Sequence, residues 1–113
     1  MDENEYIHEL VLKVFEELKN SVEHYRVEFI GAGKCYDGVQ MYITVFFRTD
    51  EERNDAFADG VTNDIDRKFL ELASRFDKKK LLKPDRKYIY YDSMENLEKN
   101  YQGKMQLYFA PES

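Results

Sequence analysis

Residues 39 to 48 read Val-Gln-Met-Tyr-Ile-Thr-Val-Phe-Phe-Arg. Alternate side chains of an extended chain point to opposite faces, so one face carries Val39, Met41, Ile43, Val45 and Phe47. The other face carries Gln40, Tyr42, Thr44, Phe46 and Arg48. Apolar residues at a period of two, many of them β-branched or aromatic, predict a strand with one fully buried face. We predict that this strand is the central one of a sheet.

Length and composition predict one globular domain. The chain has 113 residues, of which 42% are hydrophobic and 35% are charged, so we expect a single domain over residues 1–113. The net charge of −6 disfavours general affinity for nucleic acid phosphates or anionic membranes. No apolar run approaches the ~20 residues of a membrane-spanning helix, and the acidic start is unlike a signal peptide. Cys35 is the only cysteine, which is typical of a reducing compartment, and we expect a cytoplasmic protein.

The residues before the central strand predict a helix and a first strand. Apolar side chains recur every three or four residues through residues 3–20, as in an amphipathic helix. Alternation over residues 25–30 predicts a strand that ends at a turn, Gly31-Ala32-Gly33-Lys34. A second turn signal at Asp37-Gly38 predicts that the two strands form a hairpin.

An acidic stretch follows the central strand. Asp50 to Asp66 holds seven acids and one base, a net charge of −6, and a short helix is expected to begin there and end at Gly60. Counted as a calcium-binding loop that starts at Asp55, the stretch places Phe57 at the third position, where an oxygen ligand is needed, and Asp66 at the twelfth, where Glu is the rule. We therefore interpret it as a solvated acidic connection and predict no metal site.

A second amphipathic helix is predicted next, with Asn63 or Asp64 as its cap. Its apolar stripe consists of Ile65, Phe69, Leu72, Ala73 and Phe76. From Lys78 to Lys87 there are six bases and one acid, a pattern that nucleic acid sites share. Because this basic run coincides with a helix end and a Pro84-Asp85 turn, a solvated helix end is the favoured interpretation.

The last third predicts two strands and a brief helix. Tyr88 to Tyr91 reads as a third strand, Asp92 as the cap of a helix, and Lys104 to Ala110 as a fourth strand. The predicted fold class is α+β, in the order α-β-β-α-β-α-β, with a four-stranded, mainly antiparallel sheet and two main helices on one face. The other face is expected to be partly exposed and to carry Tyr42, Phe46, Tyr108 and either Tyr88 or Tyr90.

No constellation of residues indicates catalysis. His8 and His24 lack a metal-ligand spacing, and no serine has the glycine-flanked elbow of a nucleophile. The run from Gly31 resembles a phosphate loop, yet Glu28 stands where its first glycine belongs and Cys35 where Ser or Thr belongs. We therefore predict a non-enzyme without catalytic residues, cofactor or metal.

Three features carry a family resemblance: the opening amphipathic helix, the turn into aromatic strands, and a late Tyr-x-Gly-Lys-x-x-x-x-Phe run. The residues of that run are Tyr101, Gly103, Lys104 and Phe109. Together these features resemble the YezG-type antitoxins of Bacillus-like bacteria, which are small acidic α+β proteins. The resemblance implies a protein that neutralises a secreted LXG-class toxin in the producing cell. That family usually carries Trp near the end of its first helix and before its last strands, whereas this chain has no Trp, and no functional residue is carried over.

The charge map independently indicates a similar role. Toxins that attack nucleic acid often have basic clefts, and an acidic inhibitor surface speeds association with such a partner. We predict an immunity- or antitoxin-type inhibitor that binds a basic partner protein, such as a toxin, by direct contact. The predicted contact residues are Asp50, Glu51, Glu52, Asp55, Asp59 and Asp64, with Tyr42 and Tyr108 as aromatic anchors.

Two other classes stay open. The protein could be a small-ligand or metabolic domain with a pocket between helix and sheet. It could also be a nucleic-acid module that uses the basic run from Lys78 to Lys87. A homodimer formed through the aromatic face is compatible with all three classes.

Overall fold

The computed structural model describes residues 3–22, 25, 27–34, 41–82, 87–104 and 108. Its elements are α1 (Glu3–Ser21), β1 (Val27–Lys34), β2 (Met41–Phe47), α2 (Asp50–Ala58), α3 (Val61–Phe76), β3 (Ile89–Ser93) and α4 (Met94–Tyr101). The class is α+β, but the predicted four strands and their order are wrong, because the described residues form three strands and four helices. No helix in these ranges is both long and apolar enough to cross a bilayer.

The strands lie in the order β1-β2-β3, so β2 is the central strand, as predicted. β1 pairs with β2 in the antiparallel direction, whereas β3 pairs with it in the parallel direction, from Ile43 beside Ile89 to Phe47 beside Ser93. The sheet is therefore mixed instead of mainly antiparallel. The parallel pairing follows from α2 and α3, which carry the chain from the end of β2 back to its beginning, since parallel strands need such a crossover.

β1 extends through the residues predicted as a turn. Gly31 pairs with Thr44 and Gly33 with Tyr42, so both glycines lie within the antiparallel ladder. A glycine in a strand has no side chain to pack, and these two glycines lie beside Thr44 and Tyr42 of β2. The predicted turn at Asp37-Gly38 lies outside the described residues.

The link between α2 and α3 explains why α3 begins before its predicted cap. Gly60 has φ = +81°, a left-handed conformation that glycine adopts without strain. This conformation separates α2 from α3 and lets α3 begin immediately at Val61. The predicted caps, Asn63 and Asp64, therefore lie inside the first turn of α3.

The core lies between the helices and one face of the sheet. α1 packs against α3 and β2, and α3 also contacts β3. The buried side chains of both helices belong to one core cluster. The fully buried core side chains include Ile7, Val11, Val14, Leu18, Ile43, Val45 and Ile65. Full burial of each large aliphatic side chain stabilises the fold by about 1.5–3 kcal/mol.

The opposite face of the sheet is covered at its centre, which contradicts the prediction that Phe46 is partly exposed. The side chains of Phe46 and Thr44 are fully buried. The Tyr108 ring packs on Phe46 and on Tyr101 of α4, with 5.0 Å between ring centroids in both pairs. Of the rings expected on this face, Tyr90 is exposed, at 38%.

The predicted fourth strand, Lys104 to Ala110, lies mostly outside the described residues. Within them, Tyr108 has helical conformation, and its backbone N–H donates to the Lys104 carbonyl oxygen at 3.3 Å. A bond over four residues is typical of a helical turn, so Tyr108 does not lie in the predicted strand. The cap of α4 also differs from the prediction, because Ser93, and not Asp92, accepts the Asn96 N–H at 3.0 Å.

Candidate functional site

The predicted acids lie on the two consecutive helices after β2. Asp50, Glu51, Glu52 and Asp55 belong to α2, Asp59 is its C-cap, and Asp64 lies in the first turn of α3. α2 begins at Thr49, whose hydroxyl accepts the Glu52 N–H at 3.1 Å, and Ala56 anchors the helix in the core. Because α2 is helical, its acids point in different directions and do not form one continuous surface.

Three of the acids surround one concave site, which we call the acidic pocket. Its volume is about 330 Å³, and its walls are Glu52, Asp55, Asp59, Tyr25, Phe47, Ala56 and Val61. The three acids meet there because residues three and seven positions apart lie on the same side of a helix. A pocket of this size with apolar walls and three carboxylates fits one long cationic side chain.

Arg48 stands beside the acidic pocket. Its Nη2 lies 3.0 Å from Glu52 Oε1, and it also lines an adjoining cavity with Val27 and Glu28. The Arg48 side chain is 70% exposed, so this ion pair stabilises the fold by at most about 1 kcal/mol. Glu52 can therefore exchange Arg48 for a cation of a partner at little cost. In the part of the chain that the structure describes, Asp55 has no salt bridge.

Asp50 is turned away from the pocket and joins α2 to α4. Ser93 Oγ donates to Asp50 Oδ1 at 2.5 Å, and the Asp50 backbone N–H donates to Glu95 Oε1 at 3.0 Å. Arg53 adds a longer contact, 3.8 Å from Asp50 Oδ1. These contacts place Asp50 in the fold's own hydrogen-bond network. Asp64 likewise has an internal partner, since Arg67 Nη1 lies 3.4 Å from its Oδ1.

The two predicted aromatic anchors lie on the other side of the sheet. Tyr42 is half-buried and makes an edge contact with Tyr90, with 5.5 Å between ring centroids. Tyr108 is half-buried, and its hydroxyl donates to Asp92 Oδ2 at 2.9 Å. Burial raises the pKa of Tyr108 well above its usual value, and the hydrogen bond to Asp92 and the charge of that carboxylate raise it further. The structure thus does not bring these rings to the acidic pocket, whose aromatic side chains are Tyr25 and Phe47.

A second concave site, which we call the apolar pocket, lies between α3 and the beginning of β3. Its volume is about 490 Å³. The apolar walls are Phe69, Leu70, Ala73, Leu82, Tyr88 and Ile89, and the polar members are Asp66, Ser74, Asp77 and Lys87. The sequence offered only the general possibility of a pocket between helix and sheet. The sequence could not identify the residues of the pocket. Leu82 and Lys87 lie on opposite sides of Pro84 in the chain, and the sequence does not show that both contact the same pocket.

The stretch tested as a calcium loop is not a loop. Asp55 lies within α2 and Asp66 within α3, so a twelve-residue binding loop does not exist between them. Across the described ranges, no three His, Cys, Asp or Glu side chains are arranged to hold a metal ion.

No protein-family model, curated protein or solved structure matches this chain. The fold defines the class as a small acidic α+β protein, whose described residues form an acidic pocket and an apolar pocket. The likeness to YezG-type antitoxins stays a prediction from the sequence.

Proposed function

We propose that the protein is a cytoplasmic inhibitor of the immunity or antitoxin type, which binds a basic partner protein through the acidic pocket. The observation that supports this proposal is the meeting of Glu52, Asp55 and Asp59 around one concave site with aromatic and aliphatic walls. A lysine or arginine side chain of the partner is the occupant that matches both the charge and the walls.

The walls and the charges have separate roles in this binding mode. Val61 covers the aliphatic stem of the incoming side chain above the buried Phe47, and the ring of Tyr25 attracts its cationic head. The exposed Glu51 extends the negative potential beyond the pocket and speeds the encounter. An inhibitor that holds a basic side chain of a toxin's cleft also keeps that side chain from the phosphates of its substrate.

The test is a binding measurement at several salt concentrations, with the product of a neighbouring gene as the candidate partner where that product is basic. The pocket variant carries Glu52→Gln, Asp55→Asn and Asp59→Asn, which remove three charges and keep the side-chain shapes. The control variant carries Glu9→Gln, Glu16→Gln and Glu17→Gln on α1, which make the same change of net charge on exposed positions elsewhere.

We expect the pocket variant to bind at least about thirtyfold more weakly, because loss of a desolvated charge partner costs about 2–5 kcal/mol. The salt dependence of binding should also become shallower. The control variant should lose only the part of the binding affinity that depends on the net charge of the protein. Equal losses in the two variants would show that the pocket is not the contact site, and unchanged binding in both would reject an electrostatic interface.

A further inference from the structure

The walls of the apolar pocket resemble those of a small-molecule site. Its volume of about 490 Å³ lies within the range of ligand pockets, about 300–1,000 Å³. The rings of Phe69 and Tyr88 stack at one wall, with 6.2 Å between centroids and 21° between planes. Leu70 forms the lip and is 63% exposed. An apolar ligand would remove this exposed surface from water, which is favourable.

Asp77 lines the pocket but is already engaged by the fold. Its Oδ1 accepts the Tyr6 hydroxyl at 3.0 Å and the Leu81 N–H at 3.1 Å, and its Oδ2 accepts the Leu82 N–H at 3.0 Å. Burial acts to raise the pKa of Asp77, but the bonds from Leu82, Leu81 and Tyr6 outweigh it, so the pKa lies below its usual value. The carboxylate is therefore ionised and committed to closing the end of α3.

Asp66 is engaged in the same way. The Tyr91 hydroxyl donates to Asp66 Oδ1 at 2.6 Å. Burial and the bond to Asp66 raise the pKa of Tyr91 far above its usual value, so the hydroxyl keeps its proton and remains a donor. Both carboxylates of the pocket thus have internal partners.

Lys87 is the charged group that remains for a ligand. It is exposed, and its ammonium lies 4.9 Å from the centroid of the Tyr90 ring. Among the described residues it has neither a hydrogen bond nor a salt bridge. The exposed Lys78, Lys79 and Lys80, which follow Asp77 in the chain, add positive potential at this end of α3.

From this arrangement we infer that the apolar pocket binds a small amphipathic monocarboxylate. Its apolar chain lies between α3 and β3, and its carboxylate pairs with Lys87. A single negative charge fits better than a phosphate dianion, because Lys87, the one cation among the described residues of the pocket, can offset one charge, whereas Asp66 and Asp77 repel any charge beyond it. The inference accounts for part of the basic run, and it is independent of the acidic pocket and of any protein partner.

The test is a titration of the isotope-labelled full chain with hexanoate, octanoate and decanoate, followed by amide NMR shifts and calorimetry. We expect the largest shifts at Leu70, Ser74, Lys87 and Ile89. Each added methylene that enters the pocket should lower Kd about fourfold, or about fifteenfold for each step of two carbons. Octylammonium, which has the same chain and the opposite charge, should bind at least tenfold more weakly than octanoate.

Two variants separate the head group from the chain. Lys87→Gln should weaken octanoate binding about tenfold and leave binding of uncharged 1-octanol unchanged, because a bond to a charged group is lost. Lys99→Gln on α4 removes the same charge from an exposed position outside the pocket and should change neither. Ser74→Trp, made at an exposed position of the pocket wall, should abolish binding of both ligands.

Because Ser74 and Lys87 are both exposed, these substitutions leave the core intact, which circular dichroism verifies. Equal effects of Lys87→Gln and Lys99→Gln, or equal affinity for octanoate and octylammonium, would overturn the assignment of the head group. Shifts away from the pocket, no shifts at all, or unchanged binding in Ser74→Trp would overturn the site itself.

Discussion

Replacing Tyr108 by Phe removes one hydroxyl and keeps the ring that covers Phe46. The lost hydrogen bond, 2.9 Å from the hydroxyl to Asp92 Oδ2, has a charged acceptor. Bonds of this kind stabilise proteins by about 1.5–3 kcal/mol. Asp92 keeps its contacts with the Ser93 N–H at 2.8 Å, the Asn96 amide at 3.0 Å and Arg53 at 3.6 Å, so its carboxylate is not left unpaired. We therefore expect the lower end of the range, about 1.5 kcal/mol of lost unfolding free energy at pH 7.

The measurement is urea unfolding followed by far-ultraviolet circular dichroism, on the native chain, Tyr108→Phe, Asp92→Asn and the double variant. The double-mutant cycle should give a coupling energy of about 1 kcal/mol or more, because the two groups contact each other. An unchanged m-value would show that only native-state stability has altered. A loss below about 0.5 kcal/mol with no coupling would be typical of a surface substitution and would refute the contact between Tyr108 and Asp92.

The same residue predicts a response to alkaline pH. The pKa of Tyr108 is raised in the folded protein, first by burial and then by Asp92, so above pH ~10 the unfolded chain loses this proton while the folded one keeps it. Stability that is fully present below that pH is then lost as the pH rises, by about 1.4 kcal/mol per pH unit for each such tyrosine. Tyr91 adds a second share, because its pKa is raised by burial and by Asp66. Tyr108→Phe should therefore remove about half of the slope between pH 10 and 11, and an unchanged slope would contradict the assignment.

Five further substitutions test the fold. Phe46→Ala should cost about 3–5 kcal/mol in urea unfolding, because the ring is fully buried, whereas Tyr90→Ala at a 38% exposed position should cost about 1 kcal/mol; similar costs would mean that the second face is not a core layer. Thr49→Ala should cost about 1 kcal/mol through loss of a helix cap, and Ser93→Ala should cost more because it also removes the hydrogen bond to Asp50; a neutral result would argue against the cap in question. Gly60→Ala should cost about 1–2 kcal/mol from backbone strain alone, since an added Cβ meets no atom within 4 Å, and a Tm equal to that of the native chain would exclude the left-handed conformation.

The parts of the fold that repeat a pattern could be predicted from the sequence. The period of two in β2 and the apolar stripe of α3 placed the central strand and both main helices correctly, because each pattern extends over many residues. The direction of β3 could not be predicted in this way, since strand pairing depends on how the chain returns. The glycines at 31 and 33 were misread because glycine is usual in turns, whereas here they lie in a paired strand.

The sequence predicted the negative charge of the acidic pocket but not its shape. The shape depends on where α2 begins, which only a short local pattern indicates. The pattern Thr49-x-x-Glu52 is a capping box, and it was available in the sequence. The short helix predicted from this start to Gly60 already implies that Glu52, Asp55 and Asp59 lie on one side of it, but nothing in the pattern separates these three from the other acids. The contribution of Tyr25 could not be predicted from the residues around α2. Tyr25 precedes β1 in the chain and reaches the pocket because Val27 pairs with Phe47.

One element, α2, accounts for both the error in the fold prediction and the shape of the site. As a solvated connection, residues 50–59 would spread their charge over a variable surface. As a helix fixed by the Thr49 cap and by buried Ala56, they hold three carboxylates against Phe47 of the central strand. The same helix begins the crossover that makes β3 parallel to β2. A partner that binds the acidic pocket therefore contacts acids whose positions are fixed by α2. The arrangement of these acids, in addition to their number, should determine binding.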